Sequence, residues 1–133
     1  MHLQRILCIC FSILGMIGTF LPWIVIKSNF INISANGTEG DGWITFLLFL
    51  VALILALIPD IRTPLKSSLF WACIIAPVIA GIIVIFDVYN AQSNLNNPIG
   101  ELLSTSISFG SGIYVIIGAS ISTPVALFLT KNR

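Results

Sequence analysis

Charged side chains are scarce in this chain: six Lys and Arg and five Asp and Glu make up 8% of its 133 residues, whereas 57% are hydrophobic. A soluble domain carries roughly 25% charged residues. So few charges cannot cover a water-exposed surface, and the composition therefore indicates a protein whose solvent is the lipid bilayer. The net charge of +1 leaves no basic stripe for phosphates, which argues against nucleic acid as a partner.

Groups that carry catalysis or bind metals are also scarce. The one histidine is His2, close to the chain start, and it has no second ligand nearby in the sequence. The three cysteines, Cys8, Cys10 and Cys73, are interpreted as buried packing residues on the reducing side of the membrane. No nucleophile and base pair is evident. The sequence therefore predicts no catalytic residue, no metal site and no cofactor, and a protein that is not an enzyme.

Long apolar runs dominate the remainder. About 20 apolar residues are needed to cross the hydrocarbon core as a helix, and the first run exceeds the 7 to 15 residues of a signal-peptide core. We expect it to be retained as a span. The sequence predicts an all-α integral membrane four-helix bundle, formed by one domain over residues 1–133, with spans at about residues 6–26, 43–58, 69–89 and 109–129.

The positive residues set the expected orientation, because loops rich in Lys and Arg stay in the cytoplasm. Lys27 alone falls on the opposite side from the other five, which are Arg5, Arg62, Lys66, Lys131 and Arg133. Both termini are therefore predicted to be cytoplasmic, in a multi-pass protein of the cell membrane. Each of the two helical hairpins then starts from the cytoplasm, so that the hairpins are related in a parallel sense.

Two loops are expected on the outer side. In residues 27–42, a strand could run over residues 24–34 and fold back at Asn36-Gly37, a common hairpin signal; a flexible glycine-rich connector is the alternative. In residues 90–108, Asn97 and Pro98 can start a short amphipathic helix that places Ile99, Leu102, Leu103, Ser106 and Ile107 on one face.

Charged residues at the outer helix ends suggest an ion pair. Lys27 is expected to contact Asp87 or Asp41 at the border between lipid and water, where the contact joins two helix ends. The alternative is that Lys27 extends to the headgroups while Asp87 faces a water-filled path.

Small residues recur at the spacing that lets membrane helices approach closely. This pattern predicts helix-packing faces, either within the bundle or between molecules, and the same reasoning leaves Val84 facing lipid. The predicted packing residues are Ala52, Ala56, Ala72, Ala76, Ala80, Gly118 and Ser122.

Two short motifs, Gly18-Thr19-Phe20-Leu21-Pro22-Trp23 and Gly40-Asp41-Gly42-Trp43, resemble small four-span bacterial membrane proteins of unassigned function. The resemblance covers the whole chain in topology and implies no activity. Claudin-type tetraspans are similar in helix count and in their inward termini, but their loop-one cysteine pair is absent from this sequence, so the likeness is one of architecture.

Three functions fit these features. The preferred one is a non-enzymatic scaffold or accessory subunit that packs its helices in the bilayer with a second copy or with another membrane protein. The second is an effector or immunity protein of a bacterial defence or toxin system, which forms or blocks a pore. The third is a small transporter, for which Thr45, Ser120, Ser122 and Thr123 supply few polar groups at mid-span.

Overall fold

Four α-helices form most of the molecule. The computed structural model describes residues 2–27, 32–58, 60, 62–95 and 106–131. Its helices are α1 (Leu3–Phe20), α2 (Gly42–Leu57), α3 (Ser67–Leu95) and α4 (Ser111–Leu129). Three of them, α1, α3 and α4, are long and apolar enough to cross a membrane. The 16 residues of α2 cover only about 24 Å at 1.5 Å per residue.

The helices run alternately up and down around a bundle. Each helix packs on the next in chain order, and α4 closes the ring against α1. The backbone of Gly18 lies against Gly112 at one end of the α1 and α4 pair, and Gln4 bonds to Thr130 at the other. These two helices are therefore antiparallel. We call the two ends of the bundle the sheet end, where the strands lie, and the Arg5 end.

A small antiparallel sheet covers one end of the bundle, so the all-α prediction is wrong in this respect. Its strand order is β2-β1-β3, with β1 at Pro22–Lys27, β2 at Asn32–Asn36 and β3 at Ser106–Phe109. The first span was predicted to continue through residue 26, but α1 ends at Phe20. Pro22 disfavours the helical conformation at Leu21, which is extended, and the branched residues that follow suit a strand.

The first loop contains extended chain as predicted, but in two paired strands, β1 and β2, where one strand over residues 24–34 was expected. Lys27 pairs with Asn32, and β2 runs from there to Asn36, so the reversal predicted at Asn36-Gly37 is wrong; residues 28–31 lie outside the described part of the chain. Asn36-Gly37 instead leads from β2 into a short 3-10 helix, Gly37–Glu39.

The predicted amphipathic helix of the second loop lies largely in residues 96–105, outside the described part of the chain. Its last two positions, Ser106 and Ile107, belong to β3 instead of a helix.

Two apolar clusters fill the bundle. The cluster at the Arg5 end consists of Cys8, Ala56, Leu65, Phe70, Cys73, Ile74 and Leu127. The cluster toward the sheet end consists of Trp23, Phe49, Ala80, Val84, Ile113, Ile116 and Ala119. Val84 is completely buried, so the expectation that it faces lipid is wrong.

Candidate functional site

Trp23 fixes the sheet to the bundle. Its side chain is buried, and its indole N–H donates to the Gly18 carbonyl oxygen at 3.1 Å. The Trp23 carbonyl accepts the N–H of Gly110 at 2.8 Å. Glycine is required around this indole because a Cβ at Gly37 would overlap the ring, and one at Gly112 would lie 2.7 Å from its Cδ1 atom. β1 thus packs so closely against the 3-10 helix and the start of α4 that no space is left for a side chain at Gly37 or Gly112.

An acidic cleft of about 300 Å³ lies beside this corner. It is bounded by the first strand hairpin, the start of α2 and the part of α3 toward the sheet end. Three carboxylate residues line it: Glu39, Asp41 and Asp87. Asp87 lies close to Asp41, and its Oδ2 atom is buried without a hydrogen-bond partner among the described residues. The cleft therefore brings together two carboxyl groups, one at the start of α2 and one within α3.

Lys27 was predicted to contact Asp41 or Asp87. The structure brings its two proposed partners, Asp41 and Asp87, together. Lys27 itself ends β1, where its side chain is exposed, and it is not among the described residues that line the cleft. Its ion pair with either carboxyl stays a prediction.

Arg5 forms the principal polar contact at the opposite end of the bundle, and sequence reasoning missed it. Its side chain is fully buried. The Nη1 atom donates to the carbonyl oxygens of Ala56 and Ile58, both at 2.8 Å, and Nε donates to that of Thr63 at 2.7 Å. A cation there also complements the negative end of the α2 dipole. Arg5 thus caps the end of α2 and holds the connection to α3.

The signal for this contact is visible along α1. Polar and small residues alternate at spacings of three and four, which places them on one helix face; they are Arg5, Cys8, Ser12, Gly15 and Thr19, and all are buried. A charged residue at the start of such an inward-facing row predicts a buried side chain.

The structure divides the seven predicted packing residues into two groups. Those on α2 and most of those on α3 are buried, namely Ala52, Ala56, Ala76 and Ala80, while Ala72 is half-buried. On α4, Gly118 is exposed and Ser122 is half-buried. The buried face of α4 instead contains Ile116, Ala119, Ser120 and Thr123. Spacing identified a face of α4, but that face points out of the bundle.

An apolar groove of about 310 Å³ runs between α3 and α4 on the outside of the bundle. The helices approach closely at Gly81, where a Cβ would lie 2.8 Å from the Cβ of Ser120. Beside this point the groove is lined almost entirely by aliphatic side chains, including Val78, Ile82, Ile85, Ile121 and Val125.

The cysteines and the remaining titratable groups offer little chemistry. Cys8 and Cys73 are buried, and each directs its sulfur toward the Ala52 carbonyl, at 3.9 and 3.8 Å. Cys10 is exposed, which corrects its interpretation as a buried packing residue. Within the described residues no group of three or more His, Cys, Asp or Glu could hold a metal ion.

The comparisons add no relationship: no protein-family model matches the chain, and no curated protein shows significant sequence similarity to it.

Proposed function

We propose that the chain is a multi-pass protein of the cell membrane that crosses the bilayer four times, with both termini in the cytoplasm. Three helices have the necessary length and composition. The shorter α2 packs on both α1 and α3, and this contact with two candidate spans supports a fourth crossing beside them. Four described positive residues support the orientation because they lie at the Arg5 end or in the loop there: Arg5, Arg62, Lys66 and Lys131.

Within the membrane, we propose that the protein acts without catalysis, as a scaffold or accessory subunit that packs against a second copy or another membrane protein. The exposed position of Gly118 carries this proposal. A Cβ at Gly118 would have no atom within 4 Å, so the glycine forms a notch in the middle of α4. Tyr114, Ile121 and Val125 flank it with exposed side chains.

The geometry of this surface favours a helix as the partner. Without a hydrophobic driving force in lipid, helices associate where small residues allow close backbone approach and side chains interdigitate. Gly118 provides the close approach, and the groove beside it, which Ile121 and Val125 line, can accept apolar side chains.

Self-association in membranes tests this proposal. Energy transfer between donor-labelled and acceptor-labelled copies should be high for the natural sequence and fall severalfold for Gly118→Leu. Cys10→Leu is the matched control, because it also adds bulk to an exposed position, on α1. If the natural chain shows no self-association, a photoreactive residue at Ile121 should cross-link to one defined membrane protein, and Gly118→Leu should abolish that product. Unchanged energy transfer and unchanged cross-linking would refute a role for this face.

A small transporter is the second candidate, and one observation favours it. Ser12 and Ser120 are buried, and neither hydroxyl has a hydrogen-bond partner among the described residues. The contacts at Gly18 and Gln4 place Ser12 level with residues near position 120 of α4, at mid-depth. Buried polar groups in a bilayer often mark a solute path. A flux assay in liposomes tests this function: transport by the natural chain that Ser120→Ala abolishes would favour it.

A further inference from the structure

A third cleft, of about 260 Å³, opens at the Arg5 end between the start of α3 and the end of α4. Its lining combines three polar residues, Gln4, Ser67 and Lys131, with the aromatic residues Phe70 and Trp71. The described residues that line it include no acidic side chain. We propose that this cleft binds the phosphate group of an anionic membrane lipid.

Gln4 provides a buried donor. Its side chain is only 3% exposed. The amide is held rigidly, because Nε2 donates to the Thr130 carbonyl at 3.1 Å and Oε1 accepts the Leu65 N–H at 3.4 Å. An amide nitrogen carries two N–H bonds, and the second has no acceptor among the described residues. A donor fixed in a cleft without its acceptor suits an oxyanion ligand.

Lys131 provides the positive charge. Its Nζ lies 5.5 Å from the centre of the Phe70 ring, a cation–π distance that positions the ammonium group while leaving it exposed to a ligand. Two further cations on the same side of the bundle, Arg62 and Lys66, are exposed outside the cleft. The local charge is therefore suited to a lipid with net negative charge. A zwitterionic headgroup would bring an additional ammonium group to a site whose described lining residues carry no carboxylate.

The depth of the cleft favours a lipid over free phosphate. Lys131 follows the last turn of α4 and Ser67 begins α3, so the cleft lies where both helices leave the hydrocarbon core. Trp71, half exposed and packed edge-on against Phe128, is the type of residue that occupies this interface. The inference rests on the proposed membrane insertion and is independent of the partner contact at Gly118.

Native mass spectrometry of the full chain, extracted in detergent and titrated with dioleoyl-phosphatidylglycerol, tests the proposal. We expect this lipid to bind at lower concentration than dioleoyl-phosphatidylcholine. Lys131→Gln should weaken its binding about fivefold, and Lys131→Arg should preserve it. Lys66→Gln removes the same charge outside the cleft and should change binding less than twofold. Because Lys131 is exposed, these variants should fold like the natural chain, as thermal melts can verify.

Three results would overturn the proposal. They are equal binding of the two lipids, equal weakening by Lys131→Gln and Lys66→Gln, and binding of inorganic phosphate alone that matches the lipid in affinity. Membrane insertion is scored separately, by whether the chain sediments with membranes before extraction. The measurement of lipid binding does not depend on whether the extracted protein self-associates.

Discussion

The guanidinium group of Arg5 donates from Nη1 to the Ala56 carbonyl oxygen at 2.8 Å, and so joins the first turn of α1 to the last turn of α2. This contact is completely buried. It satisfies a carbonyl that has no partner within its own helix. In a membrane bundle, such a contact closes one end of a helical hairpin.

Replacing Arg5 should therefore strongly destabilise the bundle. We expect Arg5→Met to lower the free energy of unfolding by about 3 kcal/mol or more, because the buried carbonyl of Ala56 and the part-buried carbonyls of Ile58 and Thr63 lose a charged donor. Arg62→Met removes an exposed positive charge and should cost less than ~0.5 kcal/mol. Unfolding in mixed detergent micelles measures both. An equally small decrease in the free energy of unfolding of both variants would show that the Arg5 contacts contribute little to stability.

The close packing at Trp23 gives a second prediction. Gly37→Ala places a methyl group against the indole and should destabilise the fold by about 1 to 3 kcal/mol, the usual cost of overpacking. Gly40→Ala is the control, since a Cβ there would have no atom within 4 Å, and its cost should be smaller. Thermal unfolding of the two variants measures this difference in stability. The same melting temperature for both would contradict the packing of Gly37 on Trp23.

The buried face of α3 can be tested in the same way. Ala80→Leu adds bulk at a fully buried position and should cost about 1 to 3 kcal/mol. Ile82→Leu changes a side chain that is 60% exposed, and we expect almost no effect. A free energy of unfolding that falls equally in both variants would mean that α3 is rotated relative to this arrangement.

Hydropathy was sufficient to predict the number and approximate position of the helices, but not the faces that they bury. α3 and α4 are apolar on every side, so their sequences contain little directional signal. The prediction consequently placed Val84 toward lipid, and it left open whether the face of Gly118 packs within the bundle or between molecules. By contrast, α1 has a polar inner stripe that begins at Arg5, and its orientation was present in the sequence.

Local sequence contains the signal for the end of α1, whereas the pairing of the strands depends on contacts between residues far apart in the chain. Pro22 and the branched residues Ile24, Val25 and Ile26 favour a strand, and a window of hydropathy averages over such local signals. The pairing of β1 with β3 joins residues about 80 positions apart, such as Val25 and Ser108. Contacts at that separation cannot be derived from local pattern. The meeting of Asp41 and Asp87 was missed for the same reason, because it follows from the packing of α2 on α3.

Removing one of these two carboxyls distinguishes the possible roles of Asp87. Two adjacent carboxylates repel each other when both are ionised. Asp87→Asn should therefore leave the free energy of unfolding unchanged or raise it by up to ~1 kcal/mol, as measured at neutral pH. A decrease in the free energy of unfolding of more than ~1 kcal/mol would favour the predicted ion pair between Asp87 and Lys27. Loss of a measured ion or proton flux, with folding intact, would instead place the transporter function first. Glu39→Gln, which changes another carboxylate of the cleft, is the control.

Four crossings with both termini in the cytoplasm are the central claim, and cysteine labelling in intact cells tests it most directly. In a background where Cys8, Cys10 and Cys73 are alanine, single cysteines replace Asn36 at the sheet end and Thr63 at the Arg5 end. An impermeant maleimide should label Asn36→Cys from outside, and Thr63→Cys only after the cells are permeabilised. Labelling of Thr63→Cys in intact cells, with Asn36→Cys protected, would contradict the orientation; labelling of both would contradict the four crossings.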